Sequence, residues 1–120
     1  MVKFAFLLTL APYTTQDADT VINMAKAVLE EGHEISGIYL YVDGVYNAFN
    51  KIDPKSEEER NIAKMFEELA AQGVPIKVCP VCGNYRGINE ESMLITGAEF
   101  DGLGGMAEIF EDADKVICFT

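Results

Sequence analysis

Apolar residues along the chain alternate between two spacings. An unbroken run over 4–10, extended by Ala11 and stopped by Pro12, has the character of a first, fully buried strand of a parallel sheet. Val21, Met24, Ala25, Val28 and Leu29 then recur at helical spacing, and Glu30, Glu31 and Gly32 mark the helix end. Residues 35–41 read as a second strand, and the polar stretch 43–55, with Gly44 and Pro54, reads as a long loop of the kind that often carries function. Ile62, Met65, Phe66, Leu69 and Ala70 predict a second amphipathic helix, with Glu57, Glu58 and Glu59 in its N-terminal turn, where carboxylates suit the dipole. Residues 75–78 predict a third strand and 93–100 hold a short fourth. Asp101 caps a helix bearing Leu103, Met106, Ala107 and Phe110, and 115–119 form the last strand. Strand and helix in alternation imply βαβ units. The expected architecture is one α/β domain over 1–120, a three-layer sandwich around a mostly parallel five-stranded sheet of flavodoxin-like or Rossmann-like type.

The chemistry gathers where the third strand ends. Ile76, Lys77 and Val78 run into Cys79, Pro80, Val81 and Cys82. Pro80 suits the first position of a helix, which leaves Cys79 at the cap. Free backbone N–H groups and the positive end of the helix dipole favour a thiolate there, and Arg86, about two turns along, adds to the effect. Right-handed crossovers bring the C-terminal ends of the strands to one edge, where open α/β sheets bind ligands. That edge collects Tyr13, Thr14, Thr15 and Gln16 after the first strand, Gly44, Val45, Tyr46 and Asn47 after the second, and Cys79 after the third. The turn containing Gly102 and Gly104 arrives there too, either for close backbone approach or simply as a tight strand-to-helix connection. Tyr13, Tyr46, Asn47 and Arg86 have blander readings: a packed interface for the tyrosines, a self-satisfied turn for Asn47, and a carboxylate partner for Arg86.

Charge and composition narrow the field. A net charge of −11 and a pI near 4.3 argue against direct contact with a nucleic-acid backbone. No apolar run approaches the ~20 residues needed to cross a bilayer. Lys3 and the apolar run after it superficially resemble a signal peptide, but the strand reading is preferred and the cytoplasm is the expected location. Three cysteines without a framework of spacings suit reduced thiols. A single thiol pair, with only Cys118 and His33 as remote additions, argues against structural zinc. Cys118, between Ile117 and Phe119, reads as a small buried core residue. His33 falls at the opposite sheet edge from Cys79, which rules out a Cys–His dyad. The loop between Pro12 and Gln16 has no glycine, and Asp17 and Asp19 follow it, so a nucleotide phosphate is poorly served.

The order of these landmarks resembles that of the DsrE/TusD sulfur-relay family, and the resemblance covers nearly the whole chain. It rests on the apolar run over 4–10 with Ala11, Pro12, Tyr13 and the Thr/Gln turn; on Gly32, His33 and Glu34; on Tyr41 with Gly44, Val45, Tyr46, Asn47 and Ala48; on Val78 and Cys79 followed by Arg86 and Gly87; and on Gly102, Leu103 and Gly104 with Ala107 and Glu108. The resemblance implies that Cys79 accepts a sulfane sulfur as a persulfide from an upstream donor protein and passes it to a downstream acceptor protein, in tRNA thiolation or sulfur oxidation. It also implies homotrimers, hexamers or complexes with paralogous subunits, and neither a cofactor nor a metal. Such chemistry calls for a low thiol pKa, exposure and a sheltering pocket. Cys82 departs from the pattern. It can resolve a persulfide on Cys79 with release of sulfide, serve as a second carrier site, or stand by. With Pro80 between the two cysteines the pair also resembles a thioredoxin-type motif, so a thiol–disulfide redox protein is an alternative, as is a non-catalytic subunit of a relay complex.

Overall fold

The computed structural model describes residues 1–120. Its elements run β1 (Lys3–Leu8), α1 (Asp17–Glu30), β2 (Glu34–Leu40), α2 (Ile62–Ala71), β3 (Ile76–Val78), α3 (Pro80–Tyr85), β4 (Ala98–Phe100), α4 (Leu103–Asp112) and β5 (Lys115–Phe119), with 3₁₀ segments at Val42–Ala48 and Glu91–Met93. The five strands lie in the order β4-β3-β2-β1-β5 and every named pairing is parallel. The order reverses between β1 and β5. The end of β3 therefore lies on the C-terminal edge but two strands away from the reversal.

Side-chain alternation assigns the two faces. Phe6 and Leu8 of β1 stand beside Ile38 and Leu40 of β2 and are fully buried, as are Val21 and Ile22 of α1 and Phe66 and Leu69 of α2. α1 packs on α2 and on β1 and β2. The other face belongs to α4, which is seated on Gly37: a Cβ there would come within 2.8 Å of the Ile109 side chain. The Ser36 hydroxyl, at the irregularity in the β1–β2 register, donates to the Ile109 carbonyl at 2.8 Å and fixes the helix in place.

α4 does not reach the edge strand. Val116 and Cys118 pair with Ala5 and Leu7, and Ala5 pairs with Gly37, so they share the α4 face. Val116 is 42% exposed and Cys118 is also exposed. The expectation of a buried Cys118 fails because β5 is an edge strand with one face uncovered, a position that an apolar tripeptide does not reveal.

Three element boundaries also differ from expectation. α2 begins at Ile62, capped by Asn61, whose side chain accepts from the Lys64 N–H at 3.0 Å; Glu57, Glu58 and Glu59 lie in the preceding turn. The fourth strand is confined to Ala98–Phe100, because the apolar residues before it bury themselves in an irregular segment where Leu94 bridges Phe49. Asp101 does not cap α4. Gly102 holds that position without a side-chain cap, and the Asp101 carboxylate lies over Gly105, 2.1 Å from where a Cβ would stand. No helix is long and apolar enough to cross a membrane.

Candidate functional site

Cys79 is the first residue after β3. Its N–H donates to the Leu40 carbonyl at 3.1 Å, which continues the ladder, and its carbonyl accepts from Gly83 at 3.0 Å, which opens α3. Pro80 occupies the first helical turn and Cys79 is the N-cap, with the Cys82 N–H 3.5 Å from its sulfur. α3 has only six residues, so the local N–H groups, rather than a long macrodipole, act on the thiol.

Burial pushes the Cys79 thiol up. Against it stand hydrogen bonds from the Cys82 N–H, the Cys82 thiol, the Tyr39 hydroxyl and the Val81 N–H, and together they outweigh it, holding Cys79 below the ordinary thiol range. Cys82 moves the other way. Its burial, its hydrogen bond to Cys79 and the charge of Cys79 raise it, and the Val42 N–H and the Arg86 charge oppose them only in part. The two thiols are thus pushed apart, Cys79 toward the thiolate and Cys82 toward the protonated form.

Cys79 is 4% exposed, so the expected open exposure is not what the chain provides. Access runs instead through a cavity of about 180 Å³ lined by Tyr41, Cys79, Pro80, Val81, Cys82, Gly102 and Leu103. Such a space has room for an added sulfur, comparable with the roughly 30 Å³ that one water occupies in the liquid. Val81 at 61% and Leu103 at 53% exposure give the cavity an apolar outer rim. Larger surface clefts of about 420 and 380 Å³ run along the segment between Asn50 and Glu67 and contain no thiol.

Among the other expected site residues, Gly102 lines the cavity and Gly104 does not. Arg86 comes to Cys82 rather than to Cys79. Its Nη1 donates to the Cys82 carbonyl at 3.0 Å, its Nε donates to Asp43 at 2.8 Å, and its charge lowers Cys82. The carboxylate partner of Arg86 is present, and its thiol neighbour is Cys82 in place of the expected Cys79. Gly44 is a matter of backbone clearance: a Cβ there would fall 1.9 Å from the Leu8 carbonyl oxygen. Asn47 is 0% exposed and its amide donates to the carbonyls of Leu10 and Gly44, each at 2.9 Å, so it ties the 3₁₀ segment to the end of β1. Tyr46 packs against the core. Tyr13, at φ 71°, donates its hydroxyl to the Arg60 carbonyl at 2.7 Å and accepts from the Ile62 N–H at 3.1 Å, fastening its loop to the start of α2. Thr14 beside it is exposed. Neither Tyr13 nor Thr14 lines the thiol cavity. His33 accepts from the Val2 N–H and stacks edge-on against Phe4 at the far edge. No group of three His, Cys, Asp or Glu is placed to hold a metal ion.

Two groups at the site went unread in the sequence. Tyr39, fully buried in β2, shares the α4 face with Leu7 and donates its hydroxyl to the Asp101 carbonyl at 2.9 Å. Asp101 in turn donates its N–H to the Val78 carbonyl at 3.0 Å, and so the phenol arrives beneath Cys79. Burial, the Cys79 charge and the hydrogen bond to Cys79 raise this phenol far above its ordinary value, so it stays a donor. Val42 is the second. At φ 54° it is a β-branched residue in the left-handed region, a costly conformation for that side chain, and its N–H acts to lower Cys82.

Comparison with known proteins identifies the family and the fold. A model of the DsrE/DsrF-like family matches residues 2–119. The ychN protein from E. coli is 32% identical and superposes with a TM-score of 0.87, covering 99% of this chain and 100% of that one. Two proteins of unknown function share the fold at a TM-score of 0.70: one from Methanobacterium thermoautotrophicum, 16% identical over 98% of this chain and 99% of its own, and one from Bacteroides thetaiotaomicron, 17% identical over 98% and 94%.

Proposed function

The chain belongs to the DsrE/DsrF-like family, whose role is in sulfur relay, and from that premise we propose that it is a cytoplasmic persulfide carrier with Cys79 as the sulfur-bearing residue. The observation that carries this reading is a thiol at a helix N-cap that accepts the Cys82 N–H, lies below the ordinary thiol range and lines a cavity large enough for one more sulfur. A thiolate attacks a sulfane sulfur and leaves the donor's thiolate behind. The new persulfide then lies in the cavity lined by Tyr41, Pro80, Val81 and Leu103, which shelters it from small thiols that would strip it. The apolar rim of Val81 and Leu103 offers a protein donor or acceptor a place to dock while its own cysteine enters the cavity. The pathway served is of the tRNA-thiolation or sulfur-oxidation class. The acidic surface keeps this step one of protein-to-protein transfer, without direct nucleic-acid contact.

Incubation of the reduced chain with a sulfane-sulfur donor tests the reading, best in Cys82→Ser, which leaves one thiol in the segment. The expected product is heavier by one sulfur, and peptide mass places the addition at Cys79. No addition, or an addition at Cys118, would defeat the proposal.

The exposed Val116 and Cys118 on one face of β5 support assembly, and we assign that face to a second copy of this chain, in a homotrimer or hexamer rather than a complex with paralogues. Sedimentation of the purified chain is expected to give a multiple of 13.2 kDa. A monomer at micromolar concentration would assign that face to a different subunit.

A further inference from the structure

Cys82 is more than a donor to Cys79. The two sulfurs line the same small cavity, with the Cys82 N–H 3.5 Å from Cys79 Sγ. Cys82 is raised by its burial and by Cys79, and two groups on its other side work against that. Arg86, held by Asp43 and the Cys82 carbonyl, lies alongside, and both its charge and the N–H of Val42, a residue with strained backbone, lower Cys82. A β-branched residue kept in the left-handed region marks a place where the surrounding structure holds a costly geometry. Here that geometry serves a thiol which carrier chemistry on Cys79 alone does not need.

We propose that Cys82 discharges the Cys79 persulfide as sulfide, closing a Cys79–Cys82 disulfide when no acceptor protein occupies the cavity. The inference rests on the carrier reading of Cys79. In the step, the Cys82 proton passes to the outer sulfur of the anionic persulfide, and the Cys82 thiolate attacks the inner sulfur, Cys79 Sγ. The bond between inner and outer sulfur breaks, the bond between the two cysteine sulfurs forms, and hydrosulfide leaves. The sulfane sulfur is reduced to the sulfide level and the two cysteine sulfurs are oxidised to the disulfide, so no outside oxidant enters. A cellular dithiol reductant returns the pair to the starting state. The charge of Cys79 is one of the causes that raise Cys82, and loading Cys79 shifts that charge to the outer sulfur. The Val42 N–H and the Arg86 charge, which lower Cys82, remain. An acceptor thiol entering the cavity competes for the same persulfide, so the pair sets whether sulfur is passed on or released.

The test is anaerobic incubation of the reduced wild-type chain and of Cys82→Ser with inorganic polysulfide, followed by removal of the polysulfide and a time course of intact mass and released sulfide. Wild type is expected to lose the added sulfur, to end two hydrogens lighter than the reduced chain, and to release one sulfide per chain. Cys82→Ser is expected to keep the added sulfur with at least a tenfold slower loss. A wild-type chain that holds its sulfur as long as Cys82→Ser overturns the discharge and leaves the carrier reading intact. A Cys82→Ser chain that never gains sulfur overturns both.

Discussion

The Cys79→Ser chain is expected to take up no sulfur in the time that wild type needs to load fully. A serine hydroxyl stays protonated across the physiological range, and the neutral oxygen is a poor nucleophile toward sulfur. Neither remaining thiol replaces it. Burial, the largest of the causes that raise Cys82, persists in the variant and disfavours its thiolate. Cys118 lies on the edge strand β5, away from the cavity and its donors. The fold should survive the change, since a hydroxyl at the N-cap accepts the same backbone N–H groups that the sulfur accepts, and serine is a favoured residue there. Intact mass after exposure to a sulfane-sulfur donor gives the readout, with a melting curve beside it. Sulfur uptake at the wild-type rate in a normally folded Cys79→Ser chain would move the chemistry to another thiol.

The elements that sequence patterning revealed are those whose signals are local. The apolar run of β1 and the helical spacing of α1 predict elements within a residue or two of Lys3–Leu8 and Asp17–Glu30. Where local signals compete, the pattern misleads. Glutamates at 57–59 suit a helix N-terminus by charge, but Asn61 accepts a backbone N–H directly, and that specific bond places the start at Ile62. The apolar residues Leu94 and Ile95 bury themselves without pairing as a strand, and Gly97 at φ 95° turns the chain before β4 begins. An apolar run demands burial, and burial is available to irregular backbone whose polar groups find partners, as the Ile95 N–H does at the Ala48 carbonyl, 2.9 Å away.

The same distinction divides the site. Cys79, Pro80 and Cys82 are legible because a strand end, a proline and two thiols within four residues carry their own chemistry. Tyr39 is not, because it reads as one more apolar position in a buried strand. Its importance follows from β2 lying beside β3, and from the chain after β4 returning Asp101 to the same spot. Arg86 was legible as a cation near the thiols but not in its choice between them, which Asp43 makes by holding the guanidinium on the Cys82 side. Tyr13 belongs to the right sheet edge, yet its hydroxyl is spent on the backbone of Arg60 and Ile62. Convergence on an edge places loops together and leaves unsettled which side chains turn inward.

Tyr39→Phe is expected to move the pH dependence of Cys79 reactivity upward while leaving its limiting rate at high pH unchanged. The phenol has one proton and two acceptors near it, the Asp101 carbonyl and the Cys79 sulfur. When Cys79 is a thiolate, donation to sulfur is the stronger bond, since hydrogen bonds to charged groups contribute about 1.5–3 kcal/mol. The sign follows from which form gains. The bond favours the charged sulfur, so its loss favours the thiol, and ionisation then needs a higher pH. Below the pH at which Cys79 ionises, alkylation by iodoacetamide is expected to slow by about tenfold, because 1.4 kcal/mol corresponds to one factor of ten. Above the ionisation of both proteins the rates converge, because the attacking thiolate is the same. A merely structural tyrosine would give a different pattern: leaving the Asp101 carbonyl unpaired lowers the melting temperature but does not shift the profile. An unshifted profile in Tyr39→Phe would therefore strip the phenol of its role at the sulfur and leave Cys79 dependent on the N–H groups of α3 alone.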